Sequence, residues 1–340
     1  MVSAKKLFTF LALVFAFGWL CQGLTIKYGV NGAGGNWLQA AMWTPMVAAL
    51  LTGRQARRRL WDLMRRSGWK LWPIALLAGW SFSIVQQLLL WVGRQGRWHT
   101  EFFPVSENSR SIDSIHHVAM LMGVGRQSFG LFALNLVLTL TVASLVLTLS
   151  GAIGEEAGWR GFLQQELEVR VGMFKATLLV GLIWGSWHLP VNLTGYNDAQ
   201  HPILEATLIF QIHTIALSFA LAWLVQRSGS VWPAAIAHAA NNVLQSGPLI
   251  VPNGWWQDQL TAILASIVLG AIFCWILVRH NSNTQEGGGA EARPFVHLDV
   301  EPQESSRKPA ALKRLVETRG KEQPLRSSVR QFIASLLPLL

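Results

Sequence analysis

Glu155 and Glu156 stand side by side in a chain whose other apolar stretches are long enough to lie in lipid. A carboxylate in or beside a bilayer is costly unless something uses it. Arg160 comes next, giving E-E-A-G-W-R, and two histidines lie further on inside apolar segments: His188 in W-G-S-W-H-L-P and His238 in H-A-A-N-N, which also carries Asn242. A carboxylate that takes a proton, imidazoles that hold or pass one, and an amide that donates to an oxyanion are the parts of a hydrolytic centre.

Spacing limits what each can do. Neighbours on a helix point about 100° apart, so Glu155 and Glu156 cannot share a task. One can face a cavity while the other meets a neighbouring helix or Arg160, four residues on and on the same helical face. The midpoint between Glu155 and His188 falls near Val171 and Gly172. A helical hairpin there sets the two at equal height on antiparallel helices, able to hold one water between them. His238 and Asn242 are also four apart and share a face, whereas Asn241 points elsewhere and can bond a neighbouring helix. Taken singly, each has a plainer use: a charged turn, a packing histidine, polar glue between helices.

The elements that would position them are set by composition. The 340 residues are 51% hydrophobic and 14% charged, with a mean hydropathy of +0.33. Soluble proteins carry about 25% charge; this is an integral membrane protein. A crossing helix needs about 20 apolar residues. Segments 7–25, 36–52, 71–92, 128–153, 175–195, 203–226, 231–248 and 257–278 qualify or nearly so, the second and seventh being marginal. Trp19, Trp69, Trp98, Trp232, Trp255 and Trp256 lie near span ends, as an interfacial belt requires. The fold expected is all-α: a polytopic membrane helix bundle of about eight transmembrane helices.

Lys and Arg set its orientation. The 53–70 loop carries six arginines and Lys70; placed in the cytoplasm, it puts both termini inside, together with the 155–175 loop and the basic tail. Loops 196–202 and 249–256 contain no Lys or Arg and fall outside, and only Lys27, Arg94, Arg97, Arg110 and Arg126 join them there. The net charge of +10 is then positive-inside bias and lipid attraction, not nucleic-acid binding, for which the basic tail has few aromatics and no module. Residues 1–127 form a three-span region with a long external loop at 93–127, whose apolar part at 111–123 lies on the membrane surface or caps the bundle. Residues 128–280 form the core, and 281–340 read as a disordered basic tail. Lys5 and Lys6 before the first apolar run resemble a signal peptide, but no small-residue cleavage site comes after it, so the run reads as an uncleaved span. Cys21 and Cys274 lie in different spans and point to neither a disulfide nor a metal site.

E-E-x-x-x-R, then an aromatic with a histidine four residues on, then H-x-x-x-N, each on its own helix, resembles the CPBP family. These are the type II CAAX prenyl endopeptidases and their bacterial relatives of the ABI, or bacteriocin-immunity, group. The resemblance covers roughly 128–248. It implies that Glu155 matches the catalytic glutamate and Glu156 its partner, that Arg160 closes the first motif, and that His188, His238 and Asn242 match the histidines and asparagine of the second and third. The second motif usually has Phe where this chain has Trp184. The implied activity is intramembrane peptide hydrolysis, with Glu155 and His188 activating water, His238 and Asn242 donating to the oxyanion, and Glu156 and Arg160 in support. Glu155, His188 and His238 are also a legitimate zinc set; no H-E-x-x-H is present, and the expectation is a metal-free site with zinc as the alternative. Expected partners are membrane lipid and a peptide or membrane-protein substrate, such as a C-terminal segment. The expected location is the bacterial inner membrane with the site facing the cytoplasm. Other classes for this chain are a non-catalytic immunity or scaffold protein and a proton-coupled transporter, against which stands the absence of an internal repeat with broken helices.

Overall fold

A computed structural model describes residues 2–100, 103, 111–114, 120–123 and 125–286. The protein is an all-α polytopic membrane helix bundle. Its helices in chain order are α1 (Ala4–Tyr28), α2 (Gly34–Ala41), α3 (Thr44–Leu51), α4 (Arg54–Met64), α5 (Trp72–Val92) and a long helical run, α6 (Phe129–Val171). Then come α7 (Met173–Trp187), the single turn α8 (Leu189–Asn192), α9 (Pro202–Ser228), α10 (Trp232–Gln245) and α11 (Trp255–Glu286). Among the described residues, Ala4–Tyr28, Trp69–Val92, Phe129–Val171, Pro202–Ser228 and Trp255–His280 are long and apolar enough to cross a membrane, and Met173–Trp187 is apolar but shorter.

All eight expected segments are helical, and three depart from an unbroken span for visible reasons. Segment 36–52 breaks between α2 and α3, where Pro45 occupies the first turn of α3. Segment 175–195 ends its main helix at Trp187, since Pro190 has no N–H to continue the ladder. Segment 231–248 is the 14-residue α10, buried at every position from Pro233 to Asn241. A helix wrapped by protein needs no lipid-facing apolar girdle, so it tolerates His238, Asn241 and Asn242.

One expectation is overturned. Residues 155–171 are not part of a cytoplasmic loop: the helix runs on to Val171, and every side chain from Gly151 to Glu166 is buried. Two widened π-type segments, Thr148–Ala152 and Trp159–Gln164, lie within this run. Each rotates the helical face presented by the residues C-terminal to it. The charged residues thereby turn into the bundle instead of leaving it. The chain does reverse at Gly172 (φ 79°, ψ 163°), between α6 and α7, so the predicted hairpin exists.

Small residues let these helices approach closely. α5 meets α10 at Gly79, where a side chain would strike the Ala237 carbonyl, and α7 meets α9 at Gly181, against the Ile215 backbone. At the far ends of the bundle, β1 (Gly96–Trp98) pairs antiparallel with β4 (Ile250–Pro252), tying the segment after α5 to the one before α11. β2 (Ser111–Ser114), at the start of the 111–123 stretch expected at the membrane surface, pairs with β3 (Gly125–Ser128) just beyond it, while residues 115–119 and 124 lie outside the described set. The tail from residue 287 on also lies outside it.

Gly158 sits where α3 crosses the Glu155–Glu156 turn. A methyl group there would lie 2.3 Å from Pro45 Cβ and 2.4 Å from its carbonyl carbon. Gly158→Ala is expected to destabilise the protein by about 1–3 kcal/mol, read as a lowered melting temperature in detergent.

Candidate active site

The two glutamates part company as their spacing requires. Glu156, fully buried, accepts through Oε1 from Arg160 Nη1 (3.0 Å) and from His238 Nδ1 (3.0 Å). Arg160 continues to Ser218 Oγ on α9 (2.8 Å) and stacks its guanidinium 4.4 Å from the Trp184 ring. One carboxylate oxygen thus joins α6, α9 and α10. Because that oxygen is an acceptor, His238 donates from Nδ1 and presents Nε2 elsewhere.

Glu155, 2% exposed, accepts through Oε2 from the Trp184 indole N–H at 2.7 Å. The Trp184 ring also lies edge-on to His238 (5.0 Å) and His188 (6.0 Å). The departure from the usual Phe therefore adds a donor that Phe lacks, aimed at Glu155. His188 donates from Nδ1 to the Trp184 carbonyl (2.9 Å), and its ring packs against Trp187 (4.7 Å) and Phe210 (5.1 Å). Its Nε2, like that of His238, is then the nitrogen left for chemistry.

The break that frees His188 from helical monotony is repaired from α1. Gln22, buried, donates from Nε2 to the Trp187 carbonyl (2.8 Å) and accepts at Oε1 from the Val191 N–H (3.3 Å). Its amide replaces the backbone bond that would join those two residues. Trp19 also donates to the Trp187 carbonyl (3.1 Å), and Trp187 donates to the Val14 carbonyl (3.1 Å) while its ring fills the space above Gly18.

Glu155, His188, His238 and Asn242 all line one cavity of about 680 Å³. Glu156 and Arg160 do not; they stand behind its wall. A chain of donors runs to Asn242: His213 pairs through Nδ1 with Ser266 Oγ (3.2 Å), Asn241 donates to His213 Nε2 (3.2 Å), and Asn241 also donates to Asn242 Oδ1 (3.3 Å). With Oδ1 taken, Asn242 keeps Nδ2 as its free donor. Asn241 makes the interhelical bond expected of it. His213, Gln22 and Ser218 were not singled out by sequence reasoning. Only His213 carried a usable signal, being a histidine inside an apolar span, as His188 is.

The lining continues to Tyr196, Asn197 and Asp198 and to Ser246, Pro248, Ile250 and Pro252, and includes no residue of the basic 53–70 segment. Two of its stretches thus belong to the loops that Lys and Arg counting places outside.

Comparison with known proteins bears on the same helices. A family model described as type II CAAX prenyl endopeptidase Rce1-like matches residues 135–244. CAAX prenyl protease 2 of Methanococcus maripaludis is 31% identical over 109 residues, which are 31% of this chain and 40% of that protein. The chain therefore aligns with about two fifths of the length of that curated relative. Residues 135–244 are thus similar to the type II CAAX prenyl endopeptidases.

The geometry separates a structural glutamate from an available one. Glu156→Leu strands Arg160 in the interior without its carboxylate and is expected to cost about 3–5 kcal/mol. Glu155→Gln keeps shape at a cavity wall and is expected to leave thermal unfolding within about 1 kcal/mol of the unaltered protein. Parallel melting curves in detergent test the contrast.

Proposed function

We propose that this chain is a CAAX-type intramembrane endopeptidase that hydrolyses a peptide bond with its own side chains. The observation that carries the reading is the convergence of Glu155, His188, His238 and Asn242, from three helices, on one cavity. Glu155 is the general base: Oε2 is fixed by Trp184, leaving Oε1 for a water. Glu155 takes one proton from that water and afterwards hands it to the leaving amine, while His188, held from behind at Nδ1, turns its Nε2 lone pair to the water's other hydrogen and holds it in place. The carbonyl oxygen of the scissile bond, as it becomes an oxyanion, lies between His238 Nε2–H and Asn242 Nδ2, both positioned before substrate arrives. Such preorganised donors are worth about 10²–10³ in turnover each. For His238 this role uses the imidazolium, whose Nδ1–H is already met by the Glu156 carboxylate. Arg160 shares that carboxylate, so the pair holds the His238 ring without touching substrate.

The alternative chemistry is a zinc-bound water, which needs three protein ligands around one ion. Among the described residues, no three His, Cys, Asp or Glu side chains are arranged to hold a metal ion, Glu155, His188 and His238 included.

The substrate is a peptide or a membrane-protein segment reached from lipid, and the protein resides in a bacterial inner membrane. We place the basic loop 53–70 in the cytoplasm by the positive-inside rule. The cavity lining runs to the opposite loops, so access is from the extracytoplasmic face, a revision of the cytoplasmic access expected from sequence.

In a membrane-peptide cleavage assay, Glu155→Gln and His188→Ala are each expected to lower turnover by about 10³ or more while the proteins still insert and melt cooperatively. Exhaustive chelation should leave the unaltered protein fully active. Wild-type-like turnover in either variant removes the assigned role, and chelator loss restored by zinc removes the metal-free step. For orientation, Tyr196→Cys in a background lacking Cys21 and Cys274 should react with a membrane-impermeant maleimide in intact cells, and Arg58→Cys only after permeabilisation. The reverse pattern returns the cavity to the cytoplasm.

A further inference from the structure

The cavity that holds Glu155 carries three more carboxylates: Asp198, Glu205 and Asp258. Among the described residues no Lys or Arg lines it, and its only other titratable groups are Tyr196 and the histidines His188, His213 and His238. His213 has both ring nitrogens engaged, by Ser266 and Asn241. Among the described residues no Lys or Arg in the lining answers the acids.

Their partners are unequal. Asp198 accepts from the backbone N–H groups of Gln200 (2.8 Å) and His201 (3.2 Å) and from the Trp255 indole. Burial pushes its carboxyl up, but these donors and the nearby His201 outweigh burial and hold it below the usual carboxylate range, so it stays charged at neutral pH. Asp258 accepts from Gln86 Nε2 at 2.8 Å. Glu205, in the first turns of α9, is different. It is 8% exposed, and among the described residues its carboxyl has no hydrogen-bond or ion-pair partner, although it faces the cavity beside the other two. Buried acids are ordinarily paired, and one left unpaired beside two others is destabilised both by lost hydration and by like charge.

We propose that Asp198, Glu205 and Asp258 form a subsite for a cationic side chain of the peptide substrate, the ammonium of Lys or the guanidinium of Arg, with Glu205 as its direct partner. The inference rests on the peptidase reading and sharpens it. A basic residue entering from the loops at 196–202 and 249–256 meets Asp198 in the first loop and Glu205 and Asp258 in the first turns of the helices α9 and α11. Attraction along that wall draws the chain towards Glu155 and the histidines. The same field opposes an acidic side chain at this part of the cavity, so a basic residue there is favoured over an acidic one.

The test is binding, which does not require turnover. N-acetylated, C-terminally amidated peptides of one apolar sequence, carrying Lys, norleucine or Glu at each position in turn, are titrated into the full-length Glu155→Gln protein in nanodiscs. Acetylation removes the α-ammonium as a competing cation. At one or more positions Lys should bind about tenfold tighter than norleucine, with Glu weakest, and the ratio should shrink as salt rises. Glu205→Gln should bring the Lys-to-norleucine ratio close to one, and Asp258→Asn should lower it partway. Equal binding of Lys and norleucine at every position overturns the subsite, as does a Lys preference that survives Glu205→Gln. The comparison within one folded protein needs no variant at the acids, so poor folding of either cannot rescue the proposal. If Lys peptides bind preferentially but the unaltered protein cleaves none of them, the subsite stands and the peptidase reading fails.

Discussion

A charge removed from water must be answered where it lies, and Glu156 is the place where this chain meets that demand. Its carboxylate has Arg160 on its own helix and His238 on α10, and Arg160 carries the connection to Ser218 on α9. In a low-dielectric interior such a group tolerates little displacement, because moving any partner leaves a bare charge. The pair therefore acts as a register pin for three helices. The residues of the proposed chemistry hang from it: Glu155 is its neighbour in the chain, His238 is one of its partners, and Trp184 is stacked under Arg160.

Irregular backbone around the site obeys the same logic. The π-type turns of α6 and the break at Pro190 both leave carbonyl groups without their helical donors, and a membrane interior supplies no water to replace them. Side chains from the N-terminal helices do so. Trp43 donates to the Ser150 carbonyl at 2.7 Å, and Gln22 and Trp19 cover that of Trp187. The segment before residue 128 lies outside the matched core, yet it supplies the donors that let the core depart from regular helix. His188 is held in place as much by α1 as by its own helix.

The cavity combines two kinds of surface. Around Glu155 and the histidines, every ring nitrogen or amide oxygen with a second role is tied back, leaving Nε2 of His188, Nε2 of His238 and Nδ2 of Asn242 facing inward. Towards the 196–198 loop, the wall is acidic and one carboxylate has no partner among the described residues. Preorganised donors are suited to a charge that develops during reaction, and an acidic wall to a charge that is already present. In the proposed function the first belongs to the transition state and the second to the substrate.

Hydrophobic runs and the clustering of Arg and Lys made the membrane class and the helical segments legible, because lipid imposes a composition on each residue separately. The i,i+4 geometry also made the Glu156–Arg160 pair and the shared face of His238 and Asn242 legible, and counting residues located the reversal at Gly172. Helix continuity past Glu155 was not legible, since a stretch rich in Glu, Gln and Arg reads as a loop unless one knows that protein, not water, surrounds it. Nor were the roles of Gln22, Ser218 and His213, or the meeting of Asp198, Glu205 and Asp258. Those residues come from segments far apart in the chain, and nothing in local composition says which helices become neighbours. Local sequence carried the constraints that lipid and helical periodicity act on directly. Tertiary packing alone decided which polar groups face each other, because a buried hydrogen bond depends on position in three dimensions and not on separation along the chain.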